Sequence, residues 1–221
     1  AVIETFSDEF VRDAKAMYDA LIARIPGALA KCFDSTVLGA VNKPGDNFDN
    51  FANCNTQSLI ATSDHSTYDG LVAADTDIAL AGGTLSGFAL SAQARGILLS
   101  AVDSTGRPLF VNSTAEGAVD RILGAPTYFN KGVYKAGTAG SSGTPAIVGI
   151  AGDWTQAMYG TVEGVKVDLN NTGVVTRGTG TSATQVNLWQ QNMIAVRAEI
   201  EVGFRADTTM FNLLTGAVPT S

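Results

Sequence analysis

From Ile194 to Phe204 every second residue is apolar: Ile194, Val196, Ala198, Ile200, Val202 and Phe204. The residues between them are Ala195, Arg197, Glu199, Glu201 and Gly203, and Arg205 continues that second row. A period of two puts each set on its own face of an extended chain, so the pattern specifies a β-strand with one face on a core and one in water. Eleven residues at about 3.3 Å each reach about 36 Å, roughly twice the usual strand. A strand of that length needs an equally long partner. Its outer row of Arg197, Glu199, Glu201 and Arg205 suits a face that docks on neighbouring molecules, and these four are the candidate interface residues.

The matching element is at the other end of the chain. Phe10, Ala14, Met17, Tyr18, Leu21, Ile25, Leu29 and Phe33 recur at steps of three and four between Ser7 and Val37, the spacing of an amphipathic helix. Thr5 or Ser7 can cap its start, Asp8 and Glu9 suit the first turn, and Gly39 can end it. About 30 residues span about 45 Å at 1.5 Å each. Pro26 falls inside the run and is expected to kink it. Laying this helix along the strand would bury both apolar faces.

Between these two elements the chain alternates ordered pieces with Gly-rich breaks. Residues 40–55 form a loop that Phe48 and Phe51 tuck down. Thr67–Ala81 and Phe88–Val102 are expected helices, and Pro108–Val111, Thr127–Phe129 and Ala146–Ala151 expected strands. Residues 131–145 and 170–185 have loop composition. Gln156–Val162 and Val165–Leu169 alternate in opposite phase, which suggests a hairpin turning at Glu163-Gly164. Thr208–Leu214 is a short apolar tail.

Composition excludes several function classes. The 221 residues carry a net charge of −7, and the 14 basic residues are scattered, which argues against a basic nucleic-acid groove. One histidine, His65, builds no multi-histidine metal site, and no run of apolar residues reaches membrane-spanning length. Cys32 and Cys54 are expected to be buried or idle thiols rather than a disulfide. No cofactor and no metal are implied, and no signal peptide is visible. Ala1 stands where a Met would begin a full product, so a processed product or fragment is expected.

The candidates for chemistry are weak. Ser63-Asp64-His65 holds the three residue types of a hydrolase triad, but triads are spatial arrangements and sequence neighbours diverge. Residues 82–87 are Gly-rich yet lack the P-loop lysine and the dinucleotide spacing. Asp153, in Gly152-Asp153-Trp154, is better read as a turn residue before an aromatic anchor than as a catalytic acid. The sequence therefore points away from an enzyme, with a small hydrolase using Ser63 or His65 as the contrary reading.

Four motifs give a more specific lead: DSTGRPLF at Asp103–Phe110, ILGAPTYF at Ile122–Phe129, GDWTQAMYG at Gly152–Gly160 and QNMIAVRAEIEVGF at Gln191–Phe204. With FDSTVLG at Phe33–Gly39 closing the long helix, their order and spacing resemble the major capsid proteins of tailed bacteriophages with the Hong Kong 97 type fold. The resemblance implies an α+β chain with a long spine helix, a long peripheral sheet and an α/β axial lobe. It implies a peripheral domain over residues 1–38 and 152–206, an axial domain over 39–151, and a tail, 207–221, returning to the axial domain. It implies a structural protein of a phage or prophage that self-assembles, as hexamers and pentamers, into an icosahedral shell around double-stranded DNA. A scaffolding or decoration protein is a possible further partner, and the virion, after assembly in the host cytoplasm, the expected location. An encapsulin-like compartment shell is the alternative in the same fold. Family members carry an arm and an extended loop before the spine helix, so a chain shortened at its N-terminus is expected. Some members form a lysine–asparagine cross-link assisted by a glutamate; the matching positions are Asn192 and Glu199, for which a strand-start role and an outer-face ion pair are the simpler reading.

Overall fold

The computed structural model describes residues 1–219 apart from 14, 104, 111–120, 141 and 179. Val111 of the expected strand Pro108–Val111, Ala14 of the helix stripe, Ser104 and Asp120 lie outside the described residues, as does the end of the tail at 220–221. The chain divides into two compact units, Ala1–Phe33 with Gly160–Gly203, and Asp34–Tyr159 with Phe204–Ser221.

The first unit is built on a sheet in the order β1-β10-β7, where β1 is Val2–Ser7, β7 is Ala157–Asn170 and β10 is Met193–Ala206. β10 is the long strand read from sequence, and its burial alternates as the pattern requires, with Val196 and Ala198 buried while Arg197 and Glu201 are exposed. β1 runs antiparallel to it and sets Phe6 opposite Ile194, which places these two side chains on one face. That face carries the helices. Phe6 stacks on Phe10 with ring centroids 5.8 Å apart and meets Tyr18 edge-on at 5.5 Å.

Those two aromatics stand on α1 (Asp8–Asp13) and α2 (Lys15–Val37). The Ser7 hydroxyl accepts from the Phe10 N–H at 3.1 Å and so caps the start. α2 continues through Pro26. The half-buried stripe is Tyr18, Ile22, Ile25, Leu29 and Phe33; Met17 and Leu21, expected to face inward, are exposed. A spacing of four from Tyr18 selects Ile22 over Leu21 as the inner residue.

The expected hairpin at Glu163-Gly164 does not form, and β7 runs straight through both residues. Both of its faces are largely exposed, so the alternation there reports no core, and a shift of phase costs nothing. Glu-Gly also lacks the pair of left-handed residues that a two-residue turn needs. The true hairpin lies in the stretch read as loop, where β8 (Val174–Arg177) pairs antiparallel with β9 (Thr184–Asn187). Thr176 and Thr184 are β-branched and fit strands as well as loops, so composition hid the element.

The second unit holds a six-stranded sheet, β2-β11-β6-β3-β5-β4. Its strands are β2 (Asn55–Ser58), β3 (Gly87–Leu90), β4 (Arg121–Ile122), β5 (Ala125–Phe129), β6 (Ile147–Gly152) and β11 (Phe211–Thr215). The tail thus becomes a fully buried strand, parallel to β2 and antiparallel to β6. Phe88 and Leu90 belong to β3 rather than to a helix, because Ser91 caps α4 (Ala92–Ser100) and ends the strand. Pro108 makes only an isolated bridge with Val102 in place of the expected strand, and it has no N–H to extend a ladder. α3 (Thr67–Leu80) opens with a full capping box between Ser66 and Asp69. Leu71, Ala74 and Ile78 of α3 and Ala94 and Leu98 of α4 pack with Phe88, Leu90 and Val148 of the sheet in one core.

Gly152 shows how closely this core is fitted. A Cβ built there would lie 2.1 Å from Cδ1 of Phe211, its cross-strand partner. Gly152→Ala should therefore cost about 1–3 kcal/mol of stability, a fall of roughly 2–12 °C in melting temperature for a chain this size. Gly164→Ala, where an added Cβ meets nothing within 4 Å, should leave a thermal melt within about 2 °C of the parent. Equal melts for the two variants would refute the close fit.

Candidate functional site

The wet face of β10 is the candidate site, and the structure divides its four charged residues. Arg197 and Glu199 are ion-paired to each other along the strand and stay partly exposed. Glu201 is exposed and has no ion-pair partner among the described residues. Arg205 is committed elsewhere: its Nε lies 3.1 Å from Oδ2 of Asp49. The Asp49 carboxylate also accepts from the Ala206 N–H at 3.2 Å, and the Asp49 N–H donates to the Phe204 carbonyl at 3.1 Å. Asp49 sits in the loop that the sequence marked only through Phe48 and Phe51, and nothing in its local pattern announces a partner so far along the chain.

The start of this face is not wet. Ala195 is buried with Val186 and Leu188, and Val175 and Met193 pack against them, so the β8–β9 hairpin covers it. Beside the hairpin is a cleft of about 540 Å³ lined by Ile3, Leu169, Val174 and Leu188 with Asp168 and Arg197. The Thr5 hydroxyl, on the same side of β1, is buried without a hydrogen-bond partner.

Asn192 precedes β10 with φ of 52°, left-handed backbone that Asn tolerates better than most residues. Its carbonyl accepts from the Asp8 N–H at 3.0 Å, tying the turn to the start of α1. Asn192 and Glu199 do not come together within one copy. Seven residues of strand separate them, about 23 Å at 3.3 Å each, so one copy cannot supply both groups to a single reaction.

The other candidates resolve into structural roles. His65 Nε2 lies 2.8 Å from the Ser58 carbonyl oxygen, while the Ser63 hydroxyl donates to Asp64; the three residue types form no relay. The Asp153 carboxylate accepts from the Thr155 hydroxyl at 2.6 Å and from the N–H groups of Thr84 and Thr155, both at 3.0 Å. Trp154 donates from Nε1 to the Gly87 carbonyl at 3.0 Å, the aromatic anchor expected from sequence. Asp207 repeats the motif with the hydroxyl and N–H of Thr209. Cys54 is buried, and burial pushes its thiol up to about 12, whereas Cys32 lies at the surface. Among the described residues no cluster of His, Cys, Asp or Glu could hold a metal ion, and no helix is long and apolar enough to cross a membrane.

These aspartates set an acid limit. The Thr155 hydroxyl first, then the Thr84 N–H, hold Asp153 below its ordinary range, and Thr209 does the same for Asp207. A carboxylate whose folded pKa is depressed stabilises the fold above its unfolded value of about 3.9, and that contribution disappears as pH falls through the folded value. Melting temperature should be level from pH 7 to about 5 and fall below about 4. Asp153→Asn keeps an acceptor without the charge and should flatten part of that acid slope; an unchanged slope would remove Asp153 from the account.

The sequence model of the phage capsid family matches residues 1–207. A protein of Mycobacterium phage L5 named probable major capsid protein gp17 is 30% identical over 222 aligned residues, covering 94% of this chain and 64% of that protein. Its namesake in Mycobacterium phage D29 is 35% identical over 128 residues, 55% of this chain and 37% of that protein. The chain thus spans less than two thirds of the length of either relative. A solved structure from Gordonia phage Cozz superposes with a TM-score of 0.71 at 21% identity, over 99% of this chain and 69% of that one. The shared fold is the α+β Hong Kong 97 type, with α2 as its spine helix and β10 in its long sheet. A match that begins in β1 and ends at the Asp207 turn takes in both units, and the chain belongs to the phage capsid family.

Proposed function

We propose that this chain is the shell-forming subunit of a tailed phage or prophage, acting by self-association into an icosahedral capsid around double-stranded DNA. The family match over residues 1–207 carries this reading. The state of the first unit supports it: a helix with only half-buried apolar residues and a β7 exposed on both faces leave much surface for other copies to cover. Residues 1–38 and 152–206 form the peripheral domain on this reading, and 39–151 with the tail 207–221 the axial domain. The breaks between compact units, after Phe33, Tyr159 and Gly203, lie near those lines.

Arg197, Glu199 and Glu201 are the proposed contacts to neighbours, with Arg205 held in part by its own chain. Hexamers and pentamers are the expected rings, with a scaffolding or decoration protein as an additional partner and the virion as the final location. A net charge of −7 lets a wall enclose DNA without binding it tightly. The turn role of Asn192 and the ion pair of Glu199 favour a shell without covalent links. Electron microscopy of the purified protein at high concentration should show rings or closed particles, and a denaturing gel of those particles a single monomer band. A strict monomer in the microscope would overturn the reading; a ladder of multimers on the gel would restore the cross-link.

A further inference from the structure

Among the described residues β7 is an unpaired sheet edge. It pairs with β10 on one side, and no described strand pairs with the other. Natural edges are blunted by Pro, by charged side chains, by bulges or by shortness. β7 is 14 residues long and contains no Pro, and its charges, Glu163, Lys166 and Asp168, are of mixed sign, with Lys166 and Asp168 already paired to each other. Val162 is 78% exposed and Leu169 63%, with Val165 and Val167 also exposed. A lone chain with such an edge is open to strand addition.

We propose that β7 pairs antiparallel with β7 of a second copy across a two-fold axis centred on Val167. This rests on the shell-forming reading, since icosahedral shells contain two-fold as well as five-fold axes. A two-fold between antiparallel strands stands normal to the sheet, so each residue opposes one of the same parity and each face meets itself. Centring on Val167 sets Val165 opposite Leu169 of the second copy and Leu169 opposite its Val165. Three apolar residues from each copy then form one continuous patch. On the other face Lys166 opposes the second copy's Asp168, and Asp168 its Lys166. These two groups already attract at 3.6 Å within one chain, and the pairing turns that into a four-charge network of alternating sign. Axes centred on Glu163, Lys166 or Asp168 would oppose like charges, which is unfavourable.

The contact is small. Residues 164–170 overlap over about 23 Å of strand, and at a sheet thickness of about 10 Å the edge removes roughly 500 Å² from both copies together, below the roughly 1,000 Å² of a stable pair. The pair is therefore weak in dilute solution and is populated where other contacts in a shell raise its effective concentration.

The test is disulfide trapping. In a Cys32→Ser background, Val167→Cys places identical residues at the axis, with Cβ atoms about 4.5–5.5 Å apart, close enough for a disulfide after slight adjustment. Assembled particles, mildly oxidised and run on a non-reducing gel, should show at least tenfold more dimer for Val167→Cys than for Thr161→Cys, which lies far from the axis. Val167→Lys, which puts two like charges on the axis, should lower particle yield at least tenfold while leaving the thermal melt unchanged. Normal particles with no excess dimer from Val167→Cys would overturn the β7 pairing and leave the shell reading standing. A parent chain giving no particles, together with no excess dimer from Val167→Cys, would overturn both.

Discussion

Phe51→Ala should lower the melting temperature by about 6–20 °C, the largest effect of any single truncation in the second unit. Phe51 is fully buried, although it lies on a 3-10 turn in a loop. Its ring centroid is 4.5 Å from that of Phe211, 5.5 Å from Phe204 and 5.7 Å from Trp154. Those partners come from three different chain segments, so this one ring joins the start of β11, the end of β10 and the turn before β7. Truncating a buried Phe costs about 3–5 kcal/mol, because apolar transfer is lost and a cavity remains. Each kcal/mol is worth about 2–4 °C in a chain of this size. Phe51→Leu retains most of the apolar volume and should lose less than half as much. Met158→Ala removes an exposed side chain and should do nothing measurable. Calorimetry of the three variants decides it: a shift below about 2 °C for Phe51→Ala would mean that the rings touch without supporting one another.

The loop aromatics were legible in the sequence because Phe48 and Phe51 stand among polar residues that give them no reason to be apolar except burial. β10 was legible for a related reason. Its inner face is buried or half-buried along its whole length, so apolar residues show at every second position. β7 failed on the same logic, because neither of its faces is buried within this chain and its pattern reports no core. Helix α2 sits between these cases. Its end at Val37 was clear, as was the Ser7 cap on α1, but its stripe was misassigned at Met17 and Leu21, apolar residues left at the surface. For the candidate site, the period of two put Arg197, Glu199 and Glu201 in the outer row of β10 and could not show that Arg205 answers Asp49. An ion pair between distant segments leaves no period to read. The hairpin over Ala195 was hidden for the same reason.

Reversing charge at Glu199 and Glu201 should separate assembly from folding. Within one chain the cost is small: Glu199 loses a partly exposed ion pair with Arg197, worth about 0–1 kcal/mol, and Glu201 loses no described partner. Glu199→Lys with Glu201→Lys should therefore melt within about 4 °C of the parent. At a subunit contact the same change sets like charges against a surface complementary to the original, which costs several kcal/mol, and each 1.4 kcal/mol is tenfold in association. The concentration needed for particles, read by sedimentation and electron microscopy, should rise at least about a hundredfold. Arg205→Glu is the informative contrast. Its guanidinium is held by Asp49 of its own chain, so reversal places two acids side by side and should lower the melt as well as the particle yield. A double variant that assembles at the parent concentration would show that this face looks outward into solvent. An Arg205→Glu variant that loses particles with an unchanged melt would show that Arg205 acts between copies and that its bond to Asp49 is incidental.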